Sequence, residues 1–102
     1  MFVIRRVWKV KKGTARKAAA IITEIGKMYE EAGLRTPSRV YTSGGSVPGP
    51  ADTVYMEWVE EALRDAYRAD NPKPTREDEL FAQLREFKED EYVEFYQLYS
   101  GE

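Results

Sequence analysis

Two charged residues lie inside stretches that otherwise alternate like buried strands, and they are the first candidates for chemistry. Arg6 lies within residues 2–10 and Glu57 within residues 53–59. Because a buried charge is costly unless it is paired, one interpretation is an ion pair between strands or subunits. The other is a catalytic pair, in which Glu57 with a raised pKa abstracts a proton and Arg6 stabilises the resulting oxyanion. The alternation alone does not decide whether the two side chains share a face.

Aromatic side chains are the second group of candidates. They make up 13% of the chain, and many fall in predicted strands. Pockets for flat organic ligands combine aromatic walls with a few polar groups. The alternative is ordinary packing in the core or at a subunit interface. The candidate ligand-binding residues are Trp8, Tyr41, Trp58, Tyr96 and Tyr99.

Three polar clusters give weaker indications of a site. Residues 11–17 place four cations at a predicted helix start, where free N–H groups bind anions, but a simple turn explains the same residues. Residues 42–46 are glycine-rich but lack the Gly-Lys-Ser/Thr ending of a P-loop, which favours a mobile hairpin loop. The geometry of a helix followed by a turn would spread the acidic side chains between 86 and 94 in space, so we predict a solvated surface and no metal site.

The composition excludes several kinds of chemistry. The 102 residues contain no cysteine and no histidine. Thiolate nucleophiles, disulfides, a proximal histidine for haem and the usual zinc sites are therefore absent. Acid–base chemistry would depend on Asp, Glu, Tyr or Lys. We accordingly expect no cofactor.

Charge is unevenly distributed along the chain. Residues 1–40 carry a net charge of +7 and residues 41–102 a net charge of −9, so the two halves can pair within a fold or across a dimer. The pI of about 5.3 argues against nucleic-acid binding. No apolar run is long enough for a membrane span and no signal peptide is apparent, so we expect a cytoplasmic protein that does not bind membranes.

The order of predicted elements is typical of one α+β domain over residues 1–102. Hydrophobic periodicity predicts strands over 2–10, 38–43, 53–59 and 92–99, and helices over 15–32, 60–70 and from Thr75 onward. Thr14 is predicted to cap the first helix and Gly33 to end it. The order βαββαβ predicts a ferredoxin-like fold with a four-stranded antiparallel sheet, its first and third strands central and both helices on one face. We expect Tyr, Val and Trp side chains on the open face.

Two segments resemble motifs of the dimeric α/β-barrel superfamily, most closely its NIPSNAP-like proteins and next its antibiotic-biosynthesis-monooxygenase-like proteins. One is Trp8-Lys9-Val10-Lys11-Lys12-Gly13, where the family has aromatic-x-Val-Lys-Pro-Gly and Lys12 replaces the proline. The other is Gly49-Pro50-Ala51-Asp52-Thr53-Val54 followed by Trp58, where Asp52 replaces an asparagine. The element order extends the likeness over nearly the whole chain.

The resemblance implies a homodimer whose two sheets pack face to face into a barrel, with a pocket between sheet and helices in each subunit. Family activities are diverse, and the branches that use haem rely on a histidine that this chain lacks. Our leading hypothesis is a small-molecule pocket protein, as a cofactor-independent enzyme of the oxygenase or isomerase type acting on an aromatic or carbonyl metabolite. The alternative is a non-catalytic ligand-binding or structural homodimer. An RNA-recognition domain has the same element order, but its aromatic signature is missing.

Overall fold

A computed structural model describes residues 1–61 and 77–99, which form a four-stranded antiparallel sheet with helices. In chain order the elements are β1 (Phe2–Val10), α1 (Ala15–Glu31), β2 (Arg39–Ser43), β3 (Thr53–Glu60), α2 (Glu77–Arg85) and β4 (Lys88–Gln97). The strands lie in the order β2-β3-β1-β4, so the first and third strands are central as predicted. The predicted ferredoxin-like α+β fold is thereby confirmed. The predicted helix over 60–70 and the predicted cap at Thr75 fall mainly or wholly outside the described residues.

Strand β1 sets the register of the whole sheet. Arg6 lies opposite Met56 of β3 and opposite Val93 of β4. Because side chains alternate along each strand, these partners all face the same side of the sheet as Arg6. The residues next to them in sequence, among them Arg5 and Glu57, face the other side.

The helices cover the face that carries Arg6, and the core lies there. Its buried residues come from β1, β3 and both helices: Ile4, Trp8, Val10, Ala18, Ile22, Ile25, Tyr29, Val54, Met56, Trp58, Leu80 and Leu84. Both tryptophans therefore belong to the covered face, and the expectation of tryptophan on the open face was wrong. Strand alternation explains the placement. Trp8 lies four residues from Ile4 and Trp58 lies two residues from Met56, so each tryptophan faces the same side as that core residue.

Helix α1 lies very close to the sheet at Gly26. A Cβ atom at this position would lie 2.5 Å from Ser38 Oγ and 3.3 Å from Met56 Sδ. The glycine lowers helix propensity by about 1 kcal/mol relative to alanine, and the close approach explains why it is needed here. The neighbouring Ile22 and Ile25 are completely buried.

The two ends of α1 differ in how well the sequence predicted them. Gly33 has a φ of 71°, and the N–H groups of Gly33 and Leu34 donate to the carbonyl groups of Glu30 and Tyr29. This is the left-handed helix end that was predicted. Thr14, by contrast, makes no side-chain cap, because its hydroxyl donates to the Lys11 carbonyl at 2.6 Å instead.

The last strand begins four residues earlier than predicted. Residues 88–91 are mostly acidic and lack the aromatic content of residues 92–99, yet they pair with β1 up to Val10 across a register shift. The ladder with the central strand outweighs the low strand propensity of this segment. Strand β4 ends at Gln97, so Leu98 and Tyr99 lie beyond it.

The two motifs that carry the family resemblance contact each other. Asp52 has a φ of 49°, and its Oδ1 accepts a hydrogen bond from the Gly13 N–H at 3.0 Å. Its carbonyl accepts a second one from the Val10 N–H at 2.9 Å. The residue therefore joins the end of β1 to the start of β3, and it needs both a left-handed backbone and a side-chain acceptor.

Asp52→Asn is expected to change the free energy of unfolding by less than about 0.5 kcal/mol, because asparagine keeps the acceptor and tolerates the left-handed region. Asp52→Ala is expected to cost about 1–3 kcal/mol, through the lost hydrogen bond and the strain of a positive φ. Urea unfolding of both variants measures the difference. Equal stabilities would show that the side-chain bond contributes nothing.

Candidate functional site

The structure does not bring the two predicted charged residues together. Arg6 faces the helices, whereas Glu57 faces the open side of the sheet. Within one subunit their side chains cannot act on the same atom of one ligand. Each instead belongs to its own network of polar groups, and these two networks are the candidate sites.

On the helix side, a crevice of about 220 Å³ opens between α2 and β4. Among the described residues it is lined by Asp78, Phe81, Leu84, Arg85, Lys88 and Glu91. Leu84 is buried and Phe81 half-buried, so one wall is apolar. The opposite wall is formed by charged side chains of β4. The crevice thus combines two apolar side chains with four charged ones among its described lining residues.

Arg6 anchors the charged side of this crevice. Its Nη2 donates to Glu91 Oε2 at 3.1 Å, and Glu91 Oε1 accepts from Lys88 Nζ, also at 3.1 Å. The Arg6 guanidinium carbon lies 4.8 Å from the centre of the Trp8 ring and 5.4 Å from that of Phe81. With only 14% of its side chain exposed, Arg6 is held between aromatic faces and a carboxylate.

The environment of Glu91 keeps its carboxylate ionised. Partial burial raises its pKa, but the hydrogen bond from Lys88 and the charge of Arg6 outweigh burial and leave the pKa below its ordinary value. The buried indole N–H of Trp8 faces the same carboxylate and also lowers its pKa. At neutral pH Glu91 is therefore a structural anion and a poor general base.

On the open side, tyrosines and charges from four strands form a second network. The rings of Tyr41 and Tyr55 stack with centres 5.0 Å apart, and the Arg5 guanidinium carbon lies 5.0 Å from the Tyr55 ring centre. Arg5 Nε donates to Glu94 Oε1 at 2.8 Å. The Tyr41 hydroxyl donates to Glu57 Oε1 at 3.2 Å. Glu57 thus has a tyrosine partner and lies beside Arg5, not Arg6.

Tyr41 and Tyr96 of this face remain protonated at neutral pH. Burial and the charge of Glu57 raise the pKa of Tyr41, although Arg5 opposes them. A hydrogen bond with Glu94 raises the pKa of Tyr96. These hydroxyls act as hydrogen-bonding groups and are unsuited to act as phenolate bases.

The five predicted aromatic residues separate into three places. Trp8 and Trp58 are buried on the helix side, where the Trp58 Nε1 donates to Glu60 Oε1 at 3.1 Å. Tyr41 and Tyr96 lie on the open side and are 36% and 47% exposed. Tyr99 lies beyond β4 and is 82% exposed. Of these five residues, only Trp8 contacts Arg6 beside the crevice.

Sequence reasoning missed Arg5, Lys88, Glu91 and Glu94 as members of these networks. Arg5 and Arg6 pair with Glu94 and Glu91, which joins the basic first half of the chain to the acidic second half. The opposite charge of the two halves was the signal that could have found them. The partners themselves required the register of β1 with β4.

Two classes of site find no support in residues 1–61 and 77–99. No group of three or more carboxylates there is placed to hold a metal ion. Neither α1 nor α2 is long and apolar enough to cross a membrane.

Glu91→Gln is expected to reduce the loss of stability on acidification. Because the folded pKa of Glu91 is lowered, its contribution is present above its ordinary value of 4.5 and is lost as the pH falls through the folded value. Partial exposure limits the contribution to about 1 kcal/mol or less. Urea unfolding from pH 7 to about pH 3 measures it, with the exposed Glu89→Gln as a matched control. Identical pH profiles for the two variants would contradict the ion-pair network.

Comparison with solved structures links the whole chain to one group of proteins. A NIPSNAP domain protein from Burkholderia xenovorans superposes with a TM-score of 0.70 at 14% identity, over 99% of this chain and 97% of that one. A NIPSNAP family protein from Agrobacterium tumefaciens gives 0.68 at 15% identity, over 98% and 94%. A further Agrobacterium tumefaciens protein gives 0.61 at 18% identity, over 99% and 96%.

No protein-family profile matches the sequence, and no curated protein matches it. The likeness to solved structures is therefore one of fold, at identities too low to transfer a function. This likeness of fold agrees with the sheet order and with the two sequence motifs that contact each other at Asp52. The resemblance predicted from the sequence is confirmed at the level of the fold: the chain has the ferredoxin-like fold of the NIPSNAP-family structures.

Proposed function

We propose that this protein binds a small organic molecule in the crevice between α2 and β4. The observation that carries the proposal is the cavity itself, whose lining residue Glu91 is held by Arg6, a charged residue of the central strand with 14% of its side chain exposed. Burying an arginine there costs free energy, and a cavity beside it gives that cost a functional reason. Lys88 and Glu91 add polar groups, and Phe81 and Leu84 add the apolar surface that a ligand needs.

Catalysis is a separate step beyond binding. A cofactor-independent enzyme acting on an aromatic or carbonyl metabolite would need a base next to the bound ligand. Glu57 faces the opposite side of the sheet from the crevice, so its predicted role as a base stays a prediction for a ligand on the open side. The predicted role of Arg6 in stabilising an oxyanion likewise stays a prediction, and in the structure its guanidinium donates to Glu91. A ligand-binding protein without catalysis is thus the function that the geometry supports best.

Blocking the crevice tests the binding proposal. Arg85 is exposed and lines the crevice, so Arg85→Trp should fill the cavity without disturbing the core. Gln83→Trp makes the same change on the same helix at an exposed residue that does not line the crevice. In saturation-transfer NMR with a set of small aromatic acids, alcohols and amines, we expect binding to the wild type and to Gln83→Trp and loss in Arg85→Trp. Retained binding in Arg85→Trp, or no binding to the wild type, would overturn the proposal.

We also propose that two copies associate through the open face. Four register neighbours across this face alternate in charge: Arg39 on β2, Glu57 on β3, Arg5 on β1 and Glu94 on β4. A two-fold axis parallel to the strands would reverse the strand order of the second copy relative to the first. Each cation of this row would then face an anion of the other copy. The next row supplies tyrosines, a residue type enriched at protein interfaces. Association of this kind is compatible with the alternative of a purely structural homodimer.

Charge reversal at the edge of this row tests the association. Arg39→Glu should place like charges against Glu94 of the second copy and weaken the dimer by at least about tenfold. Adding Glu94→Lys should recover part of that loss. Lys27→Glu, the same reversal on an exposed position of α1, is the control. Analytical ultracentrifugation measures the dissociation constants, and a monomeric wild type or an unaffected Arg39→Glu dimer would contradict the proposed interface.

A further inference from the structure

We propose that the ligand of the crevice is a small zwitterion, with its cationic group at Asp78, its anionic group at Arg85 and a flat apolar body that packs on Phe81 between them. The inference deepens the binding function proposed above and rests on it. It specifies the charges of the ligand and the order in which its groups lie along α2.

One side of α2 presents an anion, an aromatic ring and a cation in that order along the crevice. Asp78, Phe81 and Arg85 all line the cavity, and they follow one another at spacings of three and four residues. Residues at these spacings lie on the same face of a helix. The wall that α2 contributes is therefore polarised along its length, with an aromatic ring in the middle.

The spacing of Asp78 and Arg85 keeps their charges separate. Seven residues of helix correspond to about 10 Å along the axis, well beyond the distance of an ion pair. Both residues are exposed, and the ion pairs found within residues 1–61 and 77–99 involve neither of them. The two charges thus remain available to a ligand that is long enough to reach both.

The opposite wall of the crevice adds no net charge. Lys88 Nζ donates to Glu91 Oε1 at 3.1 Å, so the two charged residues that β4 contributes to the described lining neutralise each other. The described lining as a whole then carries two cations and two anions. Such a lining gives little preference to a simple anion or a simple cation, whereas a molecule with one charge of each sign can use both ends of the α2 wall.

The volume of the crevice limits the ligand to a compact molecule. Its 220 Å³ is smaller than the roughly 300 Å³ or more of typical ligand pockets. Leu84 is buried and Phe81 half-buried, so the apolar surface lies between the two charged ends of α2. A single ring with a charged group at each end therefore matches the order of groups along the helix.

Two isomers with identical atoms test the inference. At neutral pH, para-(aminomethyl)benzoate carries its ammonium and carboxylate groups at opposite ends of one ring, whereas phenylglycine carries both on one carbon. Two further probes, para-methylbenzoate and para-methylbenzylamine, keep one charge each. Titrations followed by NMR of the α2 backbone amides give the dissociation constants. We expect para-(aminomethyl)benzoate to bind at least about threefold more tightly than each other probe, because only this molecule reaches Asp78 and Arg85 together.

Two variants that each remove one charge identify the ends of the ligand. Arg85→Gln should weaken para-(aminomethyl)benzoate about threefold to fivefold and leave para-methylbenzylamine within about twofold. Asp78→Asn should weaken para-(aminomethyl)benzoate by a similar factor and leave para-methylbenzoate within about twofold. Glu86→Gln removes an exposed carboxylate that follows α2 outside the described lining, and as the matched control it should change none of these constants. All three residues are exposed, so the variants should fold.

The outcomes separate this inference from the binding proposal itself. If phenylglycine or a singly charged probe binds as tightly as para-(aminomethyl)benzoate and Arg85→Trp abolishes that binding, the crevice binds ligands but the inference about separated charges is wrong. If para-(aminomethyl)benzoate binds equally well to the wild type, Asp78→Asn and Arg85→Gln, the assigned groups are wrong. If no probe binds to the wild type, both proposals fail together.

Discussion

The period of two along β1 is the constraint on which the other features of this protein depend. Because β1 pairs with β3 on one side and β4 on the other, the direction of each of its side chains sets the direction of a whole row across the sheet. Arg5 and Arg6 are adjacent, so they must face opposite sides. One arginine therefore belongs to the open face and the other to the space under α2, and the protein has two separate polar networks instead of one.

The ion pairs on β1 act on specificity more than on stability. Arg5–Glu94 and Arg6–Glu91 are both partly exposed, and pairs of this kind contribute about 0–1 kcal/mol each. A slip of β4 by one residue would, however, turn its whole set of side chains to the wrong face and separate both pairs. The opposite charges of the first and last strands thus help to define one register for a strand whose first residues have little strand propensity.

The fold was largely predictable from the sequence, whereas the site was predictable only in part. Alternation in residues 2–10 and 53–59 identified both central strands, and the apolar stripe with Gly33 identified α1 and its end. The face shared by two strands depends on their register, and the sequence does not fix the register of β1 with β3, because α1 and β2 separate these strands along the chain. For this reason Arg6 was associated with Glu57 when its partner is Glu91. Thr14 shows a second limit, since its hydroxyl donates to the Lys11 carbonyl and makes no side-chain cap for α1.

The close contact of α1 with the sheet at Gly26 has a consequence for how this protein can change during evolution. Helix α1 has 17 residues, and a carbon added at Gly26 would meet the Ser38 hydroxyl and approach Met56, so this helix packs closely against the sheet. Helix α2 has nine residues and borders the crevice. Substitutions that change the described lining of the crevice thus fall on α2 and the start of β4, while α1 and the two central strands preserve the architecture. Divergent sequences can then keep one scaffold while the shape and charge of the crevice change.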